Sequence, residues 1–128
     1  MNINELMIGN WVAYKGKPYR VTGINKDGAF GETVRIQMGK DEMDISAQKV
    51  NGVEITKDNM EFNGIDSAGL VVDDHIIFCN YNALTIYSNY HTEQKPYTAI
   101  NIPICYIHEL QNAFRLCGIE KEIELWRV

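Results

Sequence analysis

Two histidines and two cysteines are the residues whose types and spacing come closest to those of a metal site. Cys105 and His108 are three positions apart, as in many zinc hooks, and His75 and Cys79 are four apart. The sequence around the second pair predicts a strand, on which residues four apart share a face but lie roughly 13 Å from each other. One ion cannot bridge that distance. We therefore expect no metal and no cofactor, with both cysteines in the core and both histidines partly exposed.

His108 also has the chemistry of a general base, with Glu109 or Glu93 to orient it. Adjacent positions on a helix do not face each other, so Glu109 is a poor orienting partner. A lone histidine also lacks the mutual geometry that a catalytic site requires. The sequence therefore predicts that the protein is not an enzyme. We expect His108, Gln111 and Asn112 to form a polar helix face that hydrogen-bonds a neighbouring loop or the barrel predicted below.

Two other short patterns have ordinary structural explanations. Asp73 and Asp74 form a carboxylate pair suited to a divalent cation, but their place between two apolar runs favours a hairpin turn. The segment Gly28-Ala29-Phe30-Gly31 lacks the later glycine, the Lys-Ser/Thr ending and the following helix of a phosphate-binding loop. Neither pattern predicts a catalytic or cofactor-binding residue.

Aromatic residues interleaved with cations in the first 40 residues are the best candidate for a binding surface. Aromatic rings beside cations stack on bases or hold a peptide. Strand alternation places Trp11 opposite Val12 and Tyr14, and we expect a later element to cover Trp11. The alternative is that the tyrosines cap the core while the cations are solvated. The pattern also includes Lys15 and Phe30, and the predicted partner-binding residues are Trp11, Tyr14, Lys17, Tyr19, Arg20 and Arg35.

Charge is distributed unevenly along the chain. The 128 residues carry a net charge of −5, but residues 1–40 contain six Lys/Arg and three Asp/Glu. Neutralisation of phosphates drives non-specific binding to nucleic acid, so an acidic protein gains little attraction. The basic first part nevertheless leaves a nucleic-acid-binding face as an alternative function.

The elements that would position these residues begin with closely spaced strands. Turns are expected at Lys15–Pro18, at Asn25–Gly28 and around Gly39. Strands are predicted over residues 11–15, 19–24, 33–38 and 43–45. Short strands separated by turns predict an SH3-like small antiparallel β-barrel over residues 1–52.

Residues 53–128 predict a second antiparallel β segment, packed on the barrel as a separate domain or as part of one continuous domain. Helices are predicted over 57–62, after an N-cap at Thr56, and over 106–117, ended by Gly118. Strands are predicted over 70–72, 76–79, 84–87, 97–102 and 122–128. The last helix is amphipathic, with an apolar stripe at Ile107, Leu110, Phe114 and Cys117. The predicted fold class is α+β, and an exposed C-terminal edge strand would permit a homodimer by edge-strand pairing.

Targeting signals are not apparent in the sequence. The first residues lack the basic start and apolar run of a secretory signal, and no apolar stretch approaches the roughly 20 residues needed to span a bilayer. Three cysteines, an odd count in apolar surroundings, fit a reducing compartment better than a disulfide framework. We therefore expect a cytoplasmic protein that does not interact with membranes.

Two stretches carry a family resemblance. The first is Ile8-Gly9-Asn10-Trp11-Val12, with Lys15-Gly16 and Val21-Thr22-Gly23-Ile24; the second is Tyr106-Ile107-His108-Glu109-Leu110-Gln111-Asn112, with Gly118 and the segment 120–125. Together they resemble small uncharacterised proteins of bacteroidete gut bacteria, their phages and mobile elements. The helix of that group reads Tyr-Val-His-Gln-Leu-Gln-Asn, and here Glu109 replaces the glutamine. The resemblance is loose between Gly64 and Gln94. It implies a cytosolic accessory protein of no established activity, and no catalytic residue can be carried over from it.

These observations favour a non-enzymatic interaction module that binds a protein partner, as an accessory protein of a phage or mobile element. Nucleic-acid binding through the basic N-terminal face is the alternative. A small enzyme or metal-dependent hydrolase ranks third.

Overall fold

The structure, a computed structural model, describes residues 1–29, 31–79, 82–88 and 98–126. These residues form nine strands and two α-helices. The fold is α+β with antiparallel strand pairing, which confirms the predicted class. The chain divides into two units. The first consists of Met1–Glu54 together with Tyr106–Asn112, and the second of Ile55–Cys105 together with Ala113–Val128.

The first unit is built on a five-stranded sheet in the order β4-β3-β2-β1-β5. Its strands are β1 (Trp11–Tyr14), β2 (Lys17–Gly28), β3 (Gly31–Met38), β4 (Asp41–Ser46) and β5 (Asn51–Gly52). Short 3₁₀ turns at Ile3–Glu5 and Ala47–Lys49 precede β1 and β5. Alternate residues of the strands are apolar and point to one side, where Val12, Val21, Val34 and Ile36 are buried with Ile3 and Leu6.

The β1–β2 hairpin turns at two residues, Lys15 and Gly16. Tyr14 pairs with Lys17, and both turn residues have positive φ, 50° and 76°. This geometry matches the twist of the flanking strands, and it requires a residue such as glycine in the left-handed region. Pro18, which was expected to set the turn, lies within β2 opposite Ala13.

The second expected turn, at Asn25–Gly28, is wrong. β2 continues through Gly28, which pairs with Gly31 of β3, and the strand register shifts between Asn25 and Gly28. The backbone N–H of Asp27 donates to the side-chain oxygen of Asn25 at 3.1 Å. The turn-forming residues are therefore accommodated by an irregularity within a long strand, and the chain reverses after them.

The second unit contains the predicted antiparallel meander, in the order β6-β7-β8-β9. The strands are β6 (Leu70–Val72), β7 (His75–Cys79), β8 (Ala83–Ser88) and β9 (Thr98–Pro103). Val72 pairs with His75, and Asp73 between them has a φ of 53°, so the hairpin-turn interpretation of Asp73 and Asp74 is confirmed. Tyr97, the predicted start of the last strand, lies outside the described residues.

Both predicted helices are present. Helix α1 (Lys57–Phe62) begins after Thr56, whose hydroxyl accepts from the backbone N–H of Asn59 at 3.1 Å. Helix α2 (Ile107–Leu116) ends at Gly118, with φ 72°, where the N–H of Ile119 donates to the carbonyl of Phe114 at 2.8 Å. The first part of α2 belongs to the first unit and its last part to the second. No helix among the described residues is long and apolar enough to cross a membrane.

The predicted strand over 122–128 is wrong for the residues that the structure describes, and Arg127 and Val128 lie outside them. Residues 119–126 form no strand, although Ile123 and Leu125 are buried. Their backbone instead pairs with side chains of α1 and its C-cap: Asn63 binds the backbone of Glu124, and Asn59 accepts from the N–H of Trp126 at 2.7 Å. The C-terminal edge strand on which the homodimer prediction depended is therefore absent from this segment.

Candidate functional site

Gln111 and Asn112 connect the first unit's part of α2 to the N-terminal segment. Gln111 accepts the backbone N–H of Trp11 at 2.9 Å and donates to the carbonyl of Gly9 at 3.1 Å. Asn112 donates to the carbonyl of Glu5 at 2.6 Å. This confirms the predicted polar helix face for Gln111 and Asn112, and its role is structural.

Asn10, in the N-terminal segment, also hydrogen-bonds Asn112. Its side-chain amide donates to Asn112 Oδ1 at 2.9 Å and accepts the backbone N–H of Met7 at 2.7 Å. Asn10 is fully buried, so its polar atoms need partners within the protein. The amides of Asn10, Gln111 and Asn112 thus share one hydrogen-bonded network.

His108 is not partly exposed, as the sequence predicted, but buried, with 1% exposure. Its ring stacks on that of Tyr106, with centroids 5.7 Å apart and planes 11° apart. Neither ring nitrogen has a hydrogen-bond partner among the described residues, and Nε2 lies 3.7 Å from a carboxylate oxygen of Glu5. Burial lowers the pKa of His108, against the opposing effects of Glu109 and Glu5. A buried neutral imidazole next to Tyr106 is a packing element without the geometry of a general base.

The four residues of the zinc hypothesis do not form a cluster. No three His, Cys, Asp or Glu side chains in the described part of the chain come together as a set that could hold a metal ion. Cys79 is half-buried, and burial raises the pKa of its thiol to about 11, so the thiolate that binds metals is disfavoured at neutral pH. Cys105 is exposed, against the prediction that it lies in the core.

Trp11 is buried as expected, with 8% exposure, and Gln111 of α2 binds its backbone. The Arg20 guanidinium lies 4.4 Å from the centre of its ring and also donates to the carbonyl of Gly9 at 3.0 Å. Trp11 and Arg20 therefore form an internal packing pair. Two of the six predicted partner-binding residues thus contribute to the structure of the first unit.

The other predicted partner-binding residues lie on β1, β2 and β3. Tyr14 and Tyr19 are half-buried against the core, as in the alternative interpretation, and Lys17 is exposed. The Lys15 ammonium lies 5.4 Å from the centre of the Tyr14 ring. Phe30 lies outside the described residues. These positions do not by themselves define a concave site.

Arg35 is on β3 and faces the carboxylates of β4. Its Nε donates to Asp44 at 2.9 Å, and Glu42 lies 3.9 Å away. The Arg35 guanidinium lowers the pKa of Asp44, and the hydrogen bond to Asp44 raises the pKa of Arg35. Arg35 and Asp44 also line a shallow hollow of about 300 Å³ with Gly23, Ile24, Asn25 and Thr33. Acidic neighbours thus offset one of the cations that made residues 1–40 basic.

A second surface, which the sequence did not predict, is formed by Phe62 and Trp126 in the second unit. These side chains are 50% and 46% exposed, and their ring centroids are 5.3 Å apart at an angle of 53°. With Asp58 and Glu61 they line a hollow of about 470 Å³. Asp58 precedes Phe62 by four residues, so both lie on the same face of α1. The hydrogen bond from the Trp126 N–H to Asn59 holds the backbone of Trp126 at that helix.

Two further hollows continue this surface. The first of these, of about 410 Å³, shares Glu61 with the hollow lined by Phe62 and Trp126, which we call the aromatic hollow. The second, of about 200 Å³, shares Asp66, Ser67 and Cys79 with the 410 Å³ hollow. We call the three hollows together the acidic groove. Its carboxylates are Asp58, Glu61 and Asp66, and Lys57 lies 3.7 Å from Glu61.

The two units differ in charge. By sequence, the first contains seven Lys/Arg and eight Asp/Glu, and the second contains five Lys/Arg and nine Asp/Glu. Their net charges are −1 and −4. The acidic groove therefore lies on the more acidic unit.

Known proteins give no guide to this surface. No protein-family model matches the chain, and comparisons with curated proteins and with solved structures also find no match.

Proposed function

We propose that this protein is a non-enzymatic interaction module that binds a protein partner through the acidic groove. The observation that carries the proposal is the aromatic pair Phe62 and Trp126, each about half exposed over a concave surface. Large aromatic side chains contribute most of the binding energy at many protein interfaces, and exposed ones in a concave setting are typical of such sites. The carboxylates at its margin would add orientation and specificity.

The first unit supports this function as a scaffold, and we propose that it is an SH3-like barrel. Three features favour this fold: the strand order β4-β3-β2-β1-β5, the long irregular β2, and the 3₁₀ turn that connects β4 to β5. A fold does not determine a function, but small barrels of this kind serve many interaction modules. The predicted residues Tyr14, Lys17 and Tyr19 are a second, smaller candidate surface on this unit.

The nucleic-acid alternative has less support. The first unit has a net charge of −1, and Arg35 is paired with Asp44. Binding to phosphates would require a basic face strong enough to release counterions. The family resemblance supports the further proposal of a cytoplasmic accessory protein from a phage or mobile element.

The test is affinity purification of the tagged chain from its native cells, with nuclease and at two salt concentrations. The wild type should recover a stoichiometric protein, and the double variant Phe62→Ala/Trp126→Ala should lose it. Leu116→Ala, which removes an apolar side chain that is 84% exposed outside the groove, is the matched control and should retain it. Equal recovery by the groove variant and the control would refute the proposal. Recovery of nucleic acid that is lost at higher salt would favour the basic face instead.

A further inference from the structure

We propose that the acidic groove binds a lysine- or arginine-rich segment of the partner, with one cationic side chain held at Trp126 and Phe62 beside Asp58 and Glu61. This inference rests on the proposed function, because it specifies the chemistry of the partner at the same surface.

The aromatic pair presents exposed ring surface beside carboxylates. The rings of Phe62 and Trp126 are tilted by 53° with centroids 5.3 Å apart, so they pack against each other while each residue stays about half exposed. The faces of aromatic rings carry partial negative charge and attract ammonium and guanidinium groups, with tryptophan the strongest. The same attraction occurs elsewhere in this chain, where Arg20 lies over Trp11 and Lys15 lies over Tyr14.

The carboxylates of the groove determine the sign of the charge that a ligand must carry. Asp58 and Glu61 line the same hollow as the aromatic pair, and Asp66 lines the two hollows that follow. A neutral apolar segment would cover these carboxylates without adding a counter-charge, and a phosphate or an anionic lipid would be repelled. A segment with cations at intervals places positive charge at both the aromatic hollow and Asp66.

Lys57 is the only cation that lines the hollows in the described part of the chain, and it does not block the groove. Its ammonium is 3.7 Å from Glu61, and both side chains are more than half exposed. Exposed ion pairs of this kind contribute little to stability, so an incoming cation can replace Lys57 at Glu61.

Binding can be measured by tryptophan fluorescence of the full chain. The probe is a short peptide in which lysine alternates with glycine; matched peptides carry glutamine or glutamate instead of lysine. Trp126 is half exposed and Trp11 is buried, so Trp126 should report the ligand, and Trp126→Phe should abolish most of the signal. We expect saturable binding of the lysine peptide that weakens with salt, and no binding of the other two peptides. Equal binding of the lysine and glutamine peptides would overturn the proposal.

A pair of variants separates the groove from general electrostatic attraction. Asp58→Asn/Glu61→Gln should weaken binding of the lysine peptide about tenfold or more. Asp73→Asn/Asp74→Asn removes the same charge at the β6–β7 turn and should leave the affinity unchanged. An equal effect of the two double variants would contradict a specific site.

The two proposals can fail separately. If the lysine peptide does not bind but Phe62→Ala/Trp126→Ala still loses the cellular partner, the basic-segment proposal is wrong and the protein-binding function stands. If the cellular partner is retained by that variant, the groove is not the interaction surface.

Discussion

The side-chain amide of Asn63 binds both the carbonyl and the N–H of Glu124, at 2.7 and 2.9 Å. The same Nδ2 also donates to the carbonyl of Asn59 at 2.6 Å. Asn63 is buried and caps the end of α1, so one side chain ends the helix and fixes a segment sixty-one residues later in the chain. This relationship places Trp126, two residues after Glu124, beside α1.

Asn63→Ala should destabilise the protein by about 1–3 kcal/mol, because it removes the part-buried hydrogen bonds that the buried Asn63 amide makes to the backbone of Glu124. Urea unfolding followed by circular dichroism measures the change. Asn101→Ala, at an exposed position of β9, is the control and should change stability by less than about 0.5 kcal/mol. A loss for Asn63→Ala no larger than that of the control would show that the two bonds contribute nothing net.

Leu110→Asp should prevent folding, because Leu110 is completely buried and the new carboxylate would have no partner there. Leu110→Ala, which leaves a cavity, should cost about 2–5 kcal/mol. Leu116→Asp provides the control on the same helix, since Leu116 is exposed. Circular dichroism and gel filtration distinguish the variants. A folded, cooperative Leu110→Asp protein would contradict the burial of this helix face.

Stability should decrease as the pH falls below about 6.5, the ordinary pKa of histidine in an unfolded chain. Burial lowers the pKa of His108 in the folded protein, so below that pH the unfolded state binds more protons than the folded state. The contribution of His108 is therefore fully present above pH 6.5 and is lost on acidification. Urea unfolding at about pH 7.5 and about pH 5.5, one unit on either side of that pKa, measures the loss of stability.

Two variants test the assignment of this pH dependence. His108→Phe keeps an aromatic ring against Tyr106 and should reduce the slope of stability with pH, because no proton can bind. Glu5→Gln removes a carboxylate that raises the pKa of His108, so it should make the slope steeper. An unchanged slope in His108→Phe would assign the pH dependence to other groups.

Gly52→Ala should destabilise the first unit by about 1–3 kcal/mol, because a Cβ at Gly52 would lie 2.5 Å from the ring of Tyr106. A double-mutant cycle with Tyr106→Ala tests the cause. Once the ring is absent, Gly52→Ala should cost much less, so the two substitutions should be strongly non-additive. Additive losses would indicate that Gly52 is needed for its backbone conformation and not for the space beside Tyr106.

Sequence reasoning succeeded where the signal is local. The cap at Thr56, the stop at Gly118 and the alternation of β3 depend on residues within a few positions of each other, and each is found in the structure. It failed at Asn25–Gly28, where β3 pairing outweighed the turn preference of those residues. Local pattern thus identified most elements but not the irregularity inside β2.

The candidate site was not predictable because it depends on distant contacts. Asn59 and Asn63 bring Trp126 to Phe62, sixty-four residues earlier in the sequence, and no local pattern marks that pairing. The C-terminal strand was wrong for the same reason, since side-chain amides and not a neighbouring strand bind its backbone. The burial of His108 likewise depends on tertiary packing, which helix periodicity alone does not specify.

The hydrogen bond between Trp11 and Gln111 spans one hundred residues of sequence. During synthesis, all five strands of the first sheet leave the ribosome long before Gln111 and Asn112, so the N-terminal segment must wait for its amide partners. Closing so long a loop slows folding, because chain entropy is lost before the contact is made. The first unit is therefore completed late, and a nascent chain shorter than about 112 residues lacks the hydrogen bonds that Gln111 and Asn112 make with the N-terminal segment, which leaves that segment more open to chaperones and proteases.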